Sequence, residues 1–302
     1  MRRLLILALI AGSALPATPV HAREVLRLQP STPWVLDYAA ENCRLARNFG
    51  EGRERVTLMM DQMEPGDWFR ITLTGKPLRV GNVARLDKAR MRFGPAESDA
   101  EITAQVGEMG DEPALLFLGS HRVAPLTDQE KAAAKEANRE NGRFEPAPLG
   151  PDREAAAIWL ELTKAARRDL VLDTGPMDKP LAALRKCSWD TIKSWGLDVE
   201  QQKTLTRKVH PKRSPATWFD SSDYPTEMLR GGYEGVVNFR LLVDAAGKPS
   251  SCKIQTSTRP KEFDDAVCKA VMKRAEFEPA IDVQGKSVPS YWIATVNFKL
   301  CC

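Results

Sequence analysis

The clearest hydrophobic pattern in the chain lies in its last third. In residues 235–244, GVVNFRLLVD, apolar side chains recur at every second position from Val237 to Val243, and the polar residues Asn238 and Arg240 fall between them. A period of two is typical of a strand that buries one face. The pattern therefore predicts a half-buried antiparallel strand.

The residues around this strand predict a small domain. A short helix over TEMLRGG precedes it, and a glycine turn in DAAGK follows it. Next come a strand with Cys252 and Ile254 on its inward face, an amphipathic helix over FDDAVCKAVMKRAEF, and a final strand in SVPSYWIATVNFKL. We expect a three-stranded antiparallel sheet with two helices.

Residues 34–195 predict a mixed region of strands and helices. Strands are predicted in RVTLMMDQM, DWFRITLTG, VARLDKARMRF, PALLFLG and LVLDTG. Helices are predicted from an N-cap at Thr127 to Gly142, from Asp152 to about Arg168, and from Lys179 to Trp195 with Gly196 as the C-cap. The predicted fold class is α+β, with a mixed N-terminal domain followed by the small domain.

The two ends of the mixed region set the predicted domain boundaries. Arg2 and Arg3, the apolar run after them and the small residues around His21 are typical of a cleaved secretory signal over residues 1–22. The run has twelve residues, too short to cross a bilayer, although an uncleaved membrane anchor remains an alternative. We expect an N-terminal domain over 23–207, a basic linker over 208–214, a C-terminal domain over 215–302, and export to the periplasm.

The charge of the chain argues against a nucleic acid partner. The formal net charge is +4, and loss of Arg2 and Arg3 with the signal would leave +2. Binding to nucleic acid usually requires a concentrated basic face. The sequence predicts no cofactor and no metal site.

The C-terminal region resembles the C-terminal domain of TonB family proteins. The resemblance covers roughly residues 215–300 and rests on the order and spacing of a set of residues rather than on one rare motif. We expect these residues to be structural. They are Tyr224, Pro225, Gly235, Val243, Asp244, Gly247, Phe263, Phe277 and Pro279.

The resemblance implies binding rather than catalysis. TonB C-terminal domains bind a short periplasmic segment of outer-membrane transporters, which adds as a strand to the edge of the small sheet. The receiving strand would run from Ser290 to Lys299, and its candidate contact residues are Ser290, Trp292, Ala294, Val296 and Phe298. Alternatives are an edge covered by the N-terminal domain, an unrelated envelope partner, or a homodimer.

The chain also differs from an energy transducer. A transducer needs an uncleaved membrane helix and a long proline-rich spacer, and the sequence predicts neither. We therefore expect a periplasmic protein that uses the docking domain without being the motor link.

The six cysteines predict disulfides, because an exported chain meets an oxidising compartment. Cys252 on the second strand and Cys268 on the facing helix stripe point into the same layer, although both could stay reduced. Cys43 and Cys187 are the natural pair for the N-terminal domain. The state of Cys301 and Cys302 stays open.

Three other features suggest chemistry only weakly. Asp173 in LVLDTG matches the core of an aspartic protease signature, but no second copy is present, so a structural turn is favoured over a hydrolase. His121 is interpreted as a loop histidine rather than a general base. Met59, Met60 and Met63 could hold a soft metal, but alternation within a strand favours packing.

Overall fold

The computed structural model describes residues 23–81, 83, 85–139, 144–258 and 261–300. The predicted signal peptide, Gly142, Cys301 and Cys302 lie outside the described residues. Within the described residues, no helix is long and apolar enough to cross a membrane.

The N-terminal domain, the described residues between 23 and 198, is built on a ten-stranded sheet. Its strands are β1 (Val25–Leu28), β2 (Val35–Tyr38), β3 (Cys43–Phe49), β4 (Val56–Gln62), β5 (Arg70–Thr74), β6 (Arg85–Phe93), β7 (Ala100–Met109), β8 (Glu112–Phe117), β9 (Leu160–Thr163) and β10 (Asp169–Leu172). Its helices are α1 (Asp128–Arg139), α2 (Pro151–Ala155) and α3 (Asp178–Ser194).

The ten-stranded sheet curls. Its order is β1-β10-β9-β6-β7-β8-β5-β4-β3-β2, so β1 and β2 are consecutive in the chain but lie at opposite edges. The Ser31 amide donates to the Asn48 carbonyl at 2.9 Å, and the Gly50 amide donates to the Gln29 carbonyl at 2.8 Å. The end of β1 therefore lies beside the end of β3, and the inner face encloses a single apolar core.

Helix α3 closes this core on one side. Leu181, Leu184 and Cys187 are buried on its inner face, and a disulfide joins Cys187 to Cys43 on β3 with 6.0 Å between the Cα atoms. The helix ends before Gly196, which has a positive φ of 84°. This is the C-cap geometry that the sequence predicts.

The C-terminal domain, the described residues between 199 and 300, has its own core. Its elements are α4 (Val199–Lys203), β11 (His210–Pro211), α5 (Thr226–Gly231), β12 (Gly235–Val243), β13 (Pro249–Ser257), α6 (Lys261–Arg274), β14 (Phe277–Glu278), β15 (Ala280–Ile281), β16 (Ser287–Val288) and β17 (Ser290–Phe298). The main sheet has the order β13-β12-β17 and is antiparallel.

Helix α6 covers one face of this sheet. Phe263, Val267 and Val271 of α6 belong to the same core as the inward residues of β12. A disulfide joins Cys252 on β13 to Cys268 on α6, with 5.6 Å between the Cα atoms. The predicted α+β class is confirmed: the small domain has the three-stranded antiparallel sheet with α5 and α6, and the short helix α4 precedes them.

Residues 208–214 are not an extended spacer. Val209 is 5% exposed and belongs to the second core, and His210 and Pro211 form β11, which pairs with β14. The basic and proline-rich composition suggested a solvated linker, but main-chain pairing and burial of Val209 hold the segment against the C-terminal domain.

The helix predicted from Asp152 to about Arg168 is wrong. Helix α2 ends at Ala155, and Leu160 and Leu162 of β9 point into the core between β10 and β6. The alanines favour a helix locally, but pairing within the sheet outweighs this preference. The pattern also missed β7, where buried Ile102 and Ala104 alternate with more exposed residues.

Candidate functional site

Strand β17 forms one edge of the C-terminal sheet. On the side away from β12, no strand of the described residues pairs with it. The Thr258 amide donates to the Val236 carbonyl, and the Asp244 amide donates to the Lys248 carbonyl. The even-numbered residues of β12 therefore bond towards β13, and its odd-numbered residues bond towards β17.

This alternation decides which main-chain groups β17 presents outward. Each odd-numbered residue of β12 lies opposite an even-numbered residue of β17. Phe239, for example, pairs with Ala294, and Leu241 pairs with Trp292. Their amides and carbonyls are used in the sheet. The outward-facing main-chain groups of β17 are consequently those of Tyr291, Ile293, Thr295 and Asn297.

The residues singled out from the sequence alternate with these. Trp292, Ala294, Val296 and Phe298 place their side chains on the α6 side of the sheet, against the second core. Ser290 is buried, and its hydroxyl donates to the Gln202 side chain at 2.6 Å. The structure thus brings all five onto one strand, but their own main-chain groups face β12.

The N-terminal domain covers the open face of the sheet, and its residues Trp68, Arg70 and Ser120 also line a small pocket with Ile293, Ala294 and Thr295 of β17. Arg240 of β12, on the face opposite α6, is 3% exposed. Its guanidinium donates to Glu41 at 2.8 and 3.1 Å and lies 4.2 Å from the centre of the Trp195 ring. This combines a charge-assisted hydrogen bond with a cation–π contact between the two domains.

Further polar contacts fix the same interface. The Gln255 side chain of β13 donates to the main-chain carbonyls of Glu41 and Met63 at 2.8 and 3.0 Å. Arg70 of β5 donates to the hydroxyl of Thr295 at 2.7 Å, and that hydroxyl donates to the Asn238 side chain at 2.7 Å. The sheet face is therefore occupied within the chain, while Ile293, Thr295 and Asn297 on the β17 edge pair with no described strand other than β12.

The family-like residues make packing and turn contacts. The Tyr224 ring packs edge-on against Phe263 and Phe298, with centroids 5.5 and 5.4 Å away. In the turn between β12 and β13, the Asp244 carboxylate accepts from the amides of Ala246 and Lys248 at 2.9 Å each.

Gly247 completes this turn. It has a φ of 79°, and a Cβ at this position would lie 2.0 Å from the Phe277 carbonyl oxygen. Only glycine fits such a close approach at a positive φ. The remaining positions mark the surrounding elements: Pro225 precedes α5, Gly235 begins β12, and Phe277 and Pro279 follow α6.

This arrangement agrees with a family comparison. Residues 220–300 match the model described as the Gram-negative bacterial TonB protein C-terminal domain. This part of the chain is similar to the C-terminal domain of TonB proteins. The matched range begins at Asp220, so the N-terminal domain is an addition to the TonB-like part.

A curated TonB protein is also similar. Protein tonB2 of Pseudomonas aeruginosa is 38% identical over 79 residues, which are 26% of this chain and 28% of the relative. The chain therefore spans less than a third of that relative's length.

The candidate catalytic residues are engaged in structural contacts. The Asp173 carboxylate accepts hydrogen bonds from Arg27 and Gln29, one of them at 2.9 Å from Arg27 Nε. Burial, followed by the nearby charge of Arg70, lowers the pKa of His121 to about 4. His121 is held to Phe69 by two main-chain hydrogen bonds of 2.7 and 2.8 Å.

No cluster of three or more candidate metal ligands among His, Cys, Asp and Glu occurs in the described part of the chain. Met59 and Met60 are both buried in β4, at 7% and 0% exposure. As neighbours in one strand, their side chains point to opposite faces of the sheet.

Sequence reasoning missed the residues that join the domains. Glu41, Arg70 and Trp195 reach the sheet face from elements far apart in the chain, and Gln255 of β13 contacts Glu41 from the sheet itself. One signal was present: Arg240 and Asn238 lie on the polar face of β12, and two such side chains on a central strand need partners once that face is covered.

Proposed function

We propose that this protein is a non-enzymatic binding protein of the TonB-dependent transport system. Its C-terminal domain would receive an extended periplasmic segment of an outer-membrane transporter as an additional strand along β17. The observation that carries the proposal is the edge of β17, which belongs to a TonB-like C-terminal domain and pairs with no strand of the described residues.

The physics of strand addition suits this edge. Outward amides and carbonyls at every second residue from Ile293 to Asn297 give an incoming chain a row of hydrogen-bond partners. Main-chain bonding of this kind provides affinity with little demand on sequence, and neighbouring side-chain pockets provide selectivity. Because the N-terminal domain holds the opposite sheet face, the guest would approach along the edge.

Two other observations support the biological setting. Both disulfides, Cys43–Cys187 and Cys252–Cys268, suit an oxidising compartment such as the periplasm. The ion pair of Asp173 with Arg27 supports a structural role for this carboxylate rather than the hydrolase alternative.

A homodimer is a separate hypothesis, tested by sedimentation of the purified chain. It rests on the other sheet edge, β13, which is also without a partner strand in the described part of the protein.

Proline substitution on β17 tests the docking proposal. Ile293→Pro removes an outward amide and leaves the ladder with β12 intact, because proline is tolerated where its missing N–H faces away from the sheet. The probes are ten-residue peptides from periplasmic segments of outer-membrane transporters, with binding measured by fluorescence anisotropy. We expect Ile293→Pro to weaken binding by about tenfold or more, the effect of losing about one main-chain hydrogen bond plus the steric cost of the ring.

The matched control is in the peptide. One set of peptides is N-methylated at the odd-numbered amides and a second set at the even-numbered amides. Only alternate residues of an added strand bond to β17, so one set should lose binding and the other should bind unchanged. Equal binding by wild type and Ile293→Pro, or equal loss for both methylation sets, would contradict strand addition. Binding only by peptides unrelated to transporters would indicate a different envelope partner.

A further inference from the structure

A cavity of about 690 Å³ lies beside the first half of β17. One wall is formed by residues 290–293 of this strand, and the opposite wall by residues 205–210, which follow α4. Glu64 and Glu145 of the N-terminal domain stand at its rim. The cavity thus lies where a strand added to β17 would have to enter.

The floor of the cavity is apolar. Trp292, Leu205 and Val209 line it, and all three pack on the core of the C-terminal domain. The Trp292 ring lies against Phe277 with 5.9 Å between centroids, so it is fixed in position. Charged groups lie further out, where Lys208 pairs with Glu145 at 2.5 Å and both side chains are more than half exposed.

The main-chain geometry decides which guest side chain would meet this floor. Trp292 uses its amide and carbonyl towards β12, so a guest residue directly opposite it would form a pair without direct hydrogen bonds. In the antiparallel orientation assumed for the guest, such a pair brings the side chains closest together, with Cα atoms about 4.5 Å apart. The guest side chain would point to the same face as Trp292, because opposite residues share a face.

We infer that the guest strand places one large apolar side chain in this cavity, opposite Trp292, and that this anchor sets its register on β17. The inference rests on the proposed function, because it requires β17 to receive a strand. An alternating main-chain ladder alone would let the guest slide by two residues, whereas a single filled pocket favours one register.

The anchor pocket is a feature of this chain beyond its matched domain. Leu205 and Val209 lie outside residues 220–300, the range that matches the TonB model. The segment that carries these two residues stays in place because the amides of residues 206 and 207 bond to the Ile281 carbonyl and β11 pairs with β14. Selectivity for the guest would therefore depend on the segment that precedes the matched domain.

An alanine scan of a bound peptide tests the anchor. The probe is the ten-residue transporter peptide that most strongly protects β17 amides from hydrogen exchange in the full chain. We expect replacement of one large apolar residue by alanine to weaken binding at least tenfold, while other side chains matter less than threefold. A benzoylphenylalanine at the sensitive position should crosslink to residues 205–209.

Filling the cavity provides the matched test. Leu205→Trp should fill the cavity, so the parent peptide and its alanine variant should then bind with equal affinity. Leu205→Phe replaces it if the tryptophan variant does not fold. The control is Leu229→Trp on α5. Leu229 is 52% exposed and does not line the cavity, so this variant should still bind the parent peptide more tightly than its alanine variant.

The outcomes separate the two proposals. The anchor is overturned if a peptide protects β17 but none of its alanine substitutions weakens binding tenfold. It is also overturned if both Leu205 variants still bind the parent peptide more tightly than its alanine variant. Strand addition itself would stand in either case. If none of the transporter peptides protects β17, the proposed function fails and the anchor fails with it.

Discussion

The guanidinium of Arg240 lies 4.2 Å from the centre of the Trp195 ring and donates two hydrogen bonds to Glu41. Arg240 belongs to the central strand of the C-terminal sheet, and its two partners belong to the N-terminal domain. This contact holds the N-terminal domain on the open sheet face. Within the described residues, the two edge strands β13 and β17 pair with no strand other than β12.

The stability of the domain interface should depend strongly on Arg240. Arg240→Ala removes the cation–π contact and leaves the partly buried Glu41 carboxylate without its cation, so we expect a loss of about 2–3 kcal/mol in the free energy of unfolding. Urea unfolding monitored by tryptophan fluorescence measures it.

An exposed ion pair provides the comparison. Lys186 and Asp190 on α3 are 74% and 47% exposed, so Lys186→Ala should cost no more than about 0.5 kcal/mol. Similar losses for Arg240→Ala and Lys186→Ala would show that the interface contact does not stabilise the protein.

The turn between β12 and β13 should tolerate no side chain. Gly247→Ala would bring a Cβ to 2.0 Å from the Phe277 carbonyl oxygen, and it also adds the cost of a positive φ, so we expect a loss of at least about 3 kcal/mol. Gly285 has nearly the same φ, 76°, but open space around it. Gly285→Ala should therefore cost only about 1 kcal/mol, and equal losses in thermal unfolding would contradict the close approach.

The two disulfides should contribute unequally. Their sequence separations are 144 for Cys43–Cys187 and 16 for Cys252–Cys268. In the chain-entropy model, the longer loop contributes about 5 kcal/mol and the shorter about 3 kcal/mol. Unfolding of the two double alanine variants measures each contribution. A larger loss from Cys252→Ala with Cys268→Ala would contradict this order.

The protein should lose stability in mild acid through His121. Burial lowers its pKa from 6.5 to about 4 in the folded chain, so the unfolded chain binds more protons between these values. Stability is therefore complete above about pH 6.5 and falls as the pH drops towards 4, by up to about 3 kcal/mol.

A substitution isolates this effect. His121→Gln should remove this part of the pH dependence between pH 6.5 and 4, whereas the matched variant His210→Gln should retain it. An NMR titration of the His121 ring that gives a pKa near 6.5 would contradict the account.

Much of the C-terminal domain follows from its sequence. Three local patterns predict its elements without knowledge of the fold. They are the alternation from Val237 to Val243, the glycine in the DAAGK turn and the apolar stripe of α6. The same holds for the pairing of Cys252 with Cys268, because the strand face and the helix stripe define one layer.

The fold of the N-terminal domain is harder to predict from its sequence. Its sheet order joins strands distant in the chain, as where β6 pairs with β9. The alanine-rich stretch before β9 predicts a helix, so the local pattern does not indicate this strand. The docking of Glu41, Arg70 and Trp195 onto the C-terminal sheet depends on this long-range order. No local pattern contains that information.

The central claim is that β17 accepts a partner strand through alternate main-chain groups. The most direct measurement is residue-resolved amide hydrogen exchange by NMR, with and without a transporter peptide. We predict that the peptide slows exchange at Ile293, Thr295 and Asn297, while Trp292, Ala294 and Val296, already bonded to β12, stay unchanged. Unchanged exchange along all of β17 with a bound peptide, or protection confined to β13, would contradict the account.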